Sequence, residues 1–396
     1  MDPSLRMNSS QQHENLESSE VYQLTPLMKV LCICFYNVLC VCSVYGNSLV
    51  ILVILYFRRL RTATNILILN LAIADLLIAV FCIPFSYWQV LIFDDQRWVF
   101  GSAMCSLLSF FQGIAVFLSS WTLVVISFDR WMAIMFVLSP NMRLTRKRAV
   151  YLVLATWAFS ITMALPLFLV SRIHTSDDIK RCDEDWSTVE ELIPGSRRLY
   201  SYLVLVLQYI VPLTVLIITY TFIGMKMWNS RIPGPTSSTK KVVMERHESV
   251  KKLIPMVILI SAMFAVCWLP ILLLINVVVD LWPSVASWKF ILYIWWFSHG
   301  LAMMHSMVNP IVYFLRNARF REGFRYFSRF LPCIQFSEFK LLGEQVRRFS
   351  GRSRSVTNHC ASTTSRCAYC EHGCAFASSR LCHSGRPLIV RQTTMI

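Results

Sequence analysis

Charge is scarce in this sequence. Of its 396 residues only 15% are Asp, Glu, Lys or Arg, while 56% are hydrophobic; soluble proteins carry about 25% charged residues. A soluble chain could not bury so much apolar surface, and a disordered chain would lack it. Acids are the scarcer sign, 22 against 38 Lys and Arg, for a formal net charge of +16. A nucleic-acid-binding protein would set those bases among ordinary soluble segments, whereas here they lie between apolar ones. The 14 cysteines fall well short of a disulfide scaffold. The N-terminal segment is polar and lacks the basic–apolar–small pattern of a cleavable signal peptide, so the first apolar span is expected to serve as the insertion signal. The spans carry no paired Asp, no His-Glu-x-x-His and no Ser/His nucleophile pattern, which argues against an intramembrane enzyme. They show no evident internal duplication and one intramembrane acid, which argues against a transporter or channel.

What is abundant is long apolar runs. About 20 apolar residues cross a bilayer as a helix. Uncharged runs of that length occupy Val30–Phe57, Trp98–Phe128, Ala149–Ser171, Leu199–Met225, Leu253–Val279 and Phe290–Leu315, and Thr62–Phe93 is broken only by Asp75. Arg316–Phe330 alternates bases and aromatics at helical spacing, as a helix lying in the membrane interface does. The predicted fold is therefore an all-α membrane protein, a seven-helix transmembrane bundle with a short amphipathic eighth helix. Residues 1–27 form an N-terminal tail, 28–330 the bundle with its amphipathic helix, and 331–396 a mostly disordered regulatory tail.

Loop charge sets the orientation. Arg58, Arg59 and Arg61 follow the first span, Arg143, Arg146, Lys147 and Arg148 the third, and Lys240, Lys241, Lys251 and Lys252 the fifth. The alternate loops are acidic or neutral, with Asp94, Asp95, Asp178, Asp183, Glu184, Asp185 and Asp280. The N-terminus is expected outside and the C-terminus in the cytoplasm. An outer N-terminus exposes the sequon Asn8-Ser9-Ser10 to glycosylation. Cys105 and Cys182 are the cysteines facing an oxidising compartment at similar depth, and a disulfide between them is expected.

Polar residues inside the spans need partners or tasks, since an ionisable group at mid-membrane costs at least ~2.5 kcal/mol on insertion scales. Asp75 has two readings: a neutral carboxyl bonded to a neighbouring helix, or, with Asn47, Ser119 and Asn309, an oxygen site for a hard cation such as sodium. Asp129-Arg130-Trp131 closes the third span as an adjacent acid and base. Pro84, Pro166, Pro212, Pro270 and Pro310 interrupt five spans, each removing a backbone bond and permitting a kink.

Together these residues resemble the rhodopsin class (class A) of G-protein-coupled receptors. The resemblance rests on Gly46-Asn47-Ser48-Leu49-Val50, Leu71-Ala72-Ile73-Ala74-Asp75, Asp129-Arg130-Trp131, Trp157, Pro212 with Tyr220, Cys267-Trp268-Leu269-Pro270 and Asn309-Pro310-Ile311-Val312-Tyr313, in order and in successive spans. It implies that Asp129 holds Arg130 in the inactive state and that Arg130, once freed, meets a heterotrimeric G protein. Tyr220 and Tyr313 match the tyrosines that reorganise around that arginine, and Phe264 and Trp268 the aromatic hinge of the sixth helix. Asp75, Ser119 and Asn309 match the sodium site, sodium being an allosteric ion and no other cofactor being implied. Three residues depart from the pattern: Trp131 for a tyrosine, Ser120 for a bulky aliphatic residue, and His305 for a smaller polar one.

Gln112 stands where aminergic receptors carry aspartate, and Met303 where opsins carry the retinal lysine, so neither ligand is expected. Trp98-Val99-Phe100-Gly101, Gln112 with His299, and Asn309–Phe320 resemble the neuropeptide Y, neuropeptide F and RYamide group of peptide receptors. That resemblance implies an amidated, aromatic-ended peptide above Trp268, contacting Gln112 and His299, with Asp280 and the acidic rim attracting its basic side chains. The alternative reading of Gln112 and His299 is two polar residues hydrogen-bonding across helices. The subgroup implies a G protein of the inhibitory class. Another class A peptide receptor, tachykinin-like or with no assigned peptide, is the alternative. In the tail, Cys333 is a candidate for palmitoylation. Arg347-Arg348-Phe349-Ser350 reads as a kinase site, with Ser350 and nearby Ser353, Ser355 and Thr357 implied to recruit arrestin. Thr394-Met395-Ile396 fits a PDZ ligand. The tail's Cys-x2-Cys-x3-Cys lacks a second half for zinc, so acylated or plain thiols are expected there.

Overall fold

The computed structural model describes residues 24–88, 92, 97–136, 142–176, 179–229, 238–282, 284–285, 288 and 290–329. The expected sites Asn8, Cys333 and Ser350 lie outside these residues, as do the zinc, arrestin and PDZ readings of the tail. Long helices begin where a short polar side chain can satisfy the free N–H groups of a first turn. Thr25 accepts from the Met28 N–H to open α1 (Pro26–Tyr56), with Pro26 preset for the first helical position. Thr62 likewise opens α2, which runs as Ala63–Leu77, Ile78–Cys82 and Ile83–Tyr87. The helix α3 is Gly101–Met135, and Thr145 caps α4, Arg146–Val170. Next come α5 (Ser196–Leu205, Val206–Ile210 and Val211–Asn229) and α6 (Ser238–Leu273, Leu274–Val278 and Val279–Leu281). Then follow α7 (Ile291–Arg316) and, capped by Asn317, α8 (Ala318–Phe327).

Among the described residues six helices, α1 to α6, are long and apolar enough to cross a membrane. The seventh, α7, has 26 residues, about 39 Å at 1.5 Å per residue. It is more polar because Ser298, His299, His305, Ser306 and Asn309 are buried inside the bundle rather than turned to lipid. The opposite pattern marks α4, whose Tyr151, Leu154, Leu165 and Leu169 are exposed, an apolar outer surface suited to hydrocarbon.

The prolines explain much of the helix-to-helix stitching. Widened, π-helical turns precede two of them, Ile78–Cys82 before Pro84 and Val206–Ile210 before Pro212. Such a turn pairs a carbonyl with the N–H five residues on. Proline has no N–H, so the carbonyls of Ala79 and Leu207 are left over. Neighbouring helices supply the missing donors: Cys40 Sγ of α1 lies 3.2 Å from the Ala79 oxygen, and Trp121 Nε1 of α3 lies 3.0 Å from that of Leu207. Pro310 frees the Ser306 carbonyl four residues back, and Asn47 Nδ2 of α1 donates to it at 2.9 Å. In hydrocarbon each bare carbonyl would be costly, so these side chains fix the packing of α1 on α2 and α7, and of α3 on α5.

A separate bridge ties α2, α3 and α4. Asn70 donates to Thr122 Oγ1 at 2.8 Å and accepts from Trp157 Nε1 at 2.9 Å. The amphipathic α8 folds back on α7 and α1: Phe320 stacks on Tyr313 of α7, Tyr326 stacks on Tyr56 of α1, and Gly323 meets Val53 of α1 so closely that an added Cβ would sit 2.7 Å from its methyls.

One element departs from an all-helical reading. The acidic connection after α4 contains a two-stranded antiparallel hairpin, β1 (Ser171–Ser176) and β2 (Ile179–Glu184), in register from Ser171 opposite Glu184 to Ser176 opposite Ile179. Cys182 on β2 is bonded to the buried Cys105 in the second turn of α3, with Cα atoms 5.7 Å apart. Ser106 Oγ also donates to the Ser171 carbonyl, 2.7 Å away, and the Trp98 N–H to that of Lys180, 2.6 Å away. The sheet is thus pinned across the end of the bundle from which α3 starts. Beyond it, the Glu190 carboxylate accepts the backbone N–H groups of Gly195 and Arg197 and so caps the start of α5.

Candidate functional site

Three polar groups occupy successive depths of the bundle. At the disulfide end, His299 on α7 is buried, with Nδ1 2.7 Å from the Tyr36 hydroxyl of α1 and its ring stacked on Trp295 at 4.8 Å. Gln112 on α3 is partly buried and has no hydrogen-bond partner among the described residues. Trp268 on α6 is buried with its Nε1 unpartnered and its ring 6.3 Å from that of Phe264. The three residues come from three helices, and no hydrogen bond or ring contact among the described residues joins them directly. Asp280 lies in the last segment of α6, and its side chain is outside the described residues.

At mid-depth Asp75 of α2 is fully buried and its Oδ2 accepts from Asn309 Nδ2 of α7 at 2.6 Å. Asp75 Oδ1, Asn309 Oδ1 and Ser119 Oγ are buried without partners. These are three hard oxygens, one on a carboxylate, the donor set that a sodium ion takes, so the residues present fit that ion. Ser43 and Ser306 are linked at 2.9 Å beside Asn47. His305 packs edge-on to Phe264 at 5.4 Å, and both its ring nitrogens are sealed and unpartnered.

At the far end Arg130 of α3 is held by the Asp129 carboxylate and by the Thr64 hydroxyl of α2. Thr64 donates in turn to Asp129 at 3.0 Å. Guanidinium, carboxylate and hydroxyl form a closed triangle in which the acid and base are about nine-tenths buried. Beside it lies a cavity of about 440 Å³, bounded by Thr64, Ile68, Arg130, Met256, Tyr313 and Arg319 among others. Tyr220 of α5 is bonded to Ser261 of α6 at 3.1 Å, and the buried Tyr313 hydroxyl has no partner. Neither tyrosine touches Arg130 in this arrangement through a hydrogen bond.

With that geometry in view, comparison decides the family. Residues 46–313 match the family model described as 7 transmembrane receptor (rhodopsin family). The chain belongs to the rhodopsin family of seven-transmembrane receptors. It is 66% identical over 342 residues to neuropeptide receptor 22 of Caenorhabditis elegans, covering 85% of this chain and 79% of the relative. It is 33% identical over 311 residues to the RYamide receptor of Tribolium castaneum, covering 76% and 81%. To the neuromedin-K receptor of Oryctolagus cuniculus it is 33% identical over 317 residues, covering 79% and 64%.

This rhodopsin-family receptor is a multi-pass plasma-membrane protein and a receptor rather than an enzyme. Two of its three departures from the family pattern, Ser120 and Trp131, have local contacts that accommodate them. Ser120 bonds back to the Phe117 carbonyl at 3.0 Å on its own helix. Trp131 packs with Tyr220 against Ile134, Ile223 and Ile254, so an aromatic ring still fills the α3–α5–α6 junction. Thr64 and Tyr36 bond directly to the expected site residues Asp129, Arg130 and His299, and no sequence signal marked them. Thr64 follows a basic loop as one of two threonines flanking an alanine, and Tyr36 is one aromatic among apolar neighbours.

Proposed function

We propose that this receptor sits with its N-terminus outside and its C-terminus in the cytoplasm, binds a C-terminally amidated neuropeptide at the disulfide end, and switches a heterotrimeric G protein at the other. The observation that carries the switching role is the Arg130–Asp129–Thr64 triangle beside a cavity. A charged donor held by two contacts, to Asp129 and to Thr64, at the mouth of an apolar bundle is a two-position element, and a partner that enters the cavity competes with both for the guanidinium. The peptide class is supported by relatives whose names refer to neuropeptides and to RYamide. It is also supported by Gln112 and His299, polar edges left for a ligand in an otherwise aromatic surround. A peptide of neuromedin-K or substance-P type is the second reading, favoured by identities of 32–33% to receptors of those names.

Ligand entry above Trp268 would bear on Phe264, whose ring touches both Trp268 and His305, and so on α6 near Pro270. Asp75, Ser119 and Asn309 would hold sodium, which supplies a positive charge that favours the packing in which α2, α3 and α7 stay close. Glycosylation at Asn8, palmitoylation at Cys333, arrestin recruitment through Ser350, a PDZ contact at Ile396 and inhibitory coupling belong to the same reading. The test is a panel of synthetic amidated and free-acid peptides on cells expressing the receptor, read as G-protein activation. A response to amidated peptides that is lost in Arg130→Ala, and weakened in Gln112→Ala at equal surface expression, is expected. Unchanged potency of every peptide on Gln112→Ala would remove Gln112 from the ligand site.

A further inference from the structure

A neutral imidazole has one donor and one acceptor nitrogen, and the partner of one nitrogen fixes the role of the other. His299 Nδ1 lies 2.7 Å from the Tyr36 hydroxyl. That hydroxyl has a single proton and two acceptors in range, the second being the Trp296 carbonyl oxygen at 3.4 Å. The carbonyl is inside α7, where the N–H four residues on already bonds to it, and 3.4 Å is beyond the usual O–H···O range. The 2.7 Å contact is the stronger claim on the Tyr36 proton, and with that proton directed at Nδ1 the ring proton of His299 sits on Nε2.

The surroundings leave little room for another arrangement. Tyr36 is 1% exposed, its ring edge-on to Trp296 at 5.5 Å and tilted against Tyr87 at 5.9 Å. Trp295 stacks on the His299 ring within 9° of parallel. Gly300 lets α1 come this close, since a Cβ there would stand 3.1 Å from the Phe35 ring and 3.4 Å from the Tyr36 oxygen. His299 itself is 6% exposed. Its Nε2 has no partner among the described residues yet, unlike both nitrogens of His305, is not sealed off. A nearly buried N–H without a partner calls for an acceptor.

We propose that Tyr36 fixes His299 as the Nε2–H tautomer and thereby makes it a dedicated hydrogen-bond donor for a carbonyl oxygen of the peptide ligand. Tyr36 is the positioning residue and His299 the contact. The ligand half of this inference rests on the peptide reading above; the tautomer half does not. A peptide end that presents a carbonyl oxygen is accepted, and one that presents only N–H groups at that point is rejected.

Two measurements test it. In the purified full-length receptor labelled with ¹⁵N-histidine, the His299 signals, identified by their loss in His299→Gln, should show a protonated Nε2 and a bare Nδ1. In Tyr36→Phe the two forms should mix. A proton on Nδ1 in the unaltered receptor would overturn the proposal. For the contact, the probe is a synthetic peptide ending in Arg-Tyr-amide, read as G-protein activation at matched surface expression. Gln sets its amide nitrogen near the Nε2 position and Asn near Nδ1. His299→Gln should hold potency within about threefold, whereas His299→Asn and Tyr36→Phe should each lose about tenfold, the scale of one hydrogen bond. In the His299→Gln background, Tyr36→Phe should cost nothing further. Equal losses in the Gln and Asn variants, or an undiminished Tyr36→Phe loss in the Gln background, would overturn the contact while leaving the peptide reading intact. A protonated Nε2 in a receptor that no amidated peptide activates would support the tautomer and defeat the peptide reading instead.

Discussion

Thr64→Val should raise signalling in the absence of any peptide. The threonine hydroxyl accepts from Arg130 and donates to Asp129 at 3.0 Å, so valine, nearly the same size, removes both links between α2 and the acid–base pair of α3. Hydrogen bonds to charged groups contribute about 1.5–3 kcal/mol each. Arg130 keeps Asp129 in the variant, and water replaces part of what is lost, so a net shift of about 1–2 kcal/mol toward the released arginine is the working figure. At about 1.4 kcal/mol per tenfold, peptide-independent nucleotide exchange should rise about 5- to 30-fold until it saturates. Thr64→Ser, which keeps the hydroxyl, should stay near the starting level. Asp129→Asn, which removes the charge, should match or exceed Thr64→Val. The assay is nucleotide exchange on added G protein in membranes without ligand, normalised to receptor number. Indistinguishable valine and serine variants, with thermal stability unchanged, would refute the claim that Thr64 holds the triangle shut.

Asn70→Leu should lower the thermal stability of the purified receptor by about 1–3 kcal/mol, since it breaks bonds to both Thr122 and Trp157, while Trp157→Phe should cost less, about 0.6–1.7 kcal/mol for one interhelical bond. Gly323→Ala should loosen α8 from α1, because its Cβ would overlap the Val53 methyls; a loss of about 1–3 kcal/mol is expected from overpacking, visible as faster hydrogen exchange confined to α8. In the connection after β2, hydrogen bonds from Ser187 hold the Asp185 carboxyl below its usual range, and those from the Arg197 and Gly195 N–H groups do the same for Glu190. A lowered carboxyl contributes stability that is complete above the ordinary carboxylate range and is lost as pH falls through the lowered value. Peptide potency should therefore be flat through the neutral range on their account and fall only in strong acid. Glu190→Gln should weaken the α5 cap at neutral pH, which hydrogen exchange at the start of α5 would report.

The parts of this receptor that were legible in the sequence are those governed by solvent. Apolar run length located α1 to α6, and a carboxylate in hydrocarbon marked Asp75 as needing a partner, which Asn309 provides. Compartment chemistry singled out Cys105 and Cys182, and the two are bonded. The hairpin β1–β2 was not legible, because Ser171–Glu184 is polar and charged on both faces and shows no apolar alternation. Its strands are held in place by a disulfide and by two donors, Ser106 Oγ of α3 and the Trp98 N–H just before it, that bond to the Ser171 and Lys180 carbonyls, rather than by an apolar pattern of their own.

Sequence alone thus determined which segments leave water, in what order, and which polar residues they carry with them, since transfer free energy depends on residue type and run length. Tertiary structure decided what those polar residues do. Proline can be read as a lost N–H, but only packing shows that Trp121 covers the Leu207 carbonyl and Asn47 that of Ser306. His299 can be read as a polar residue in a span, but only packing shows that its Nδ1 meets the hydroxyl of Tyr36, 263 positions away. Hydrogen bonds are short and directional, so their partners are fixed by which helix faces meet, information that no local window of the chain contains.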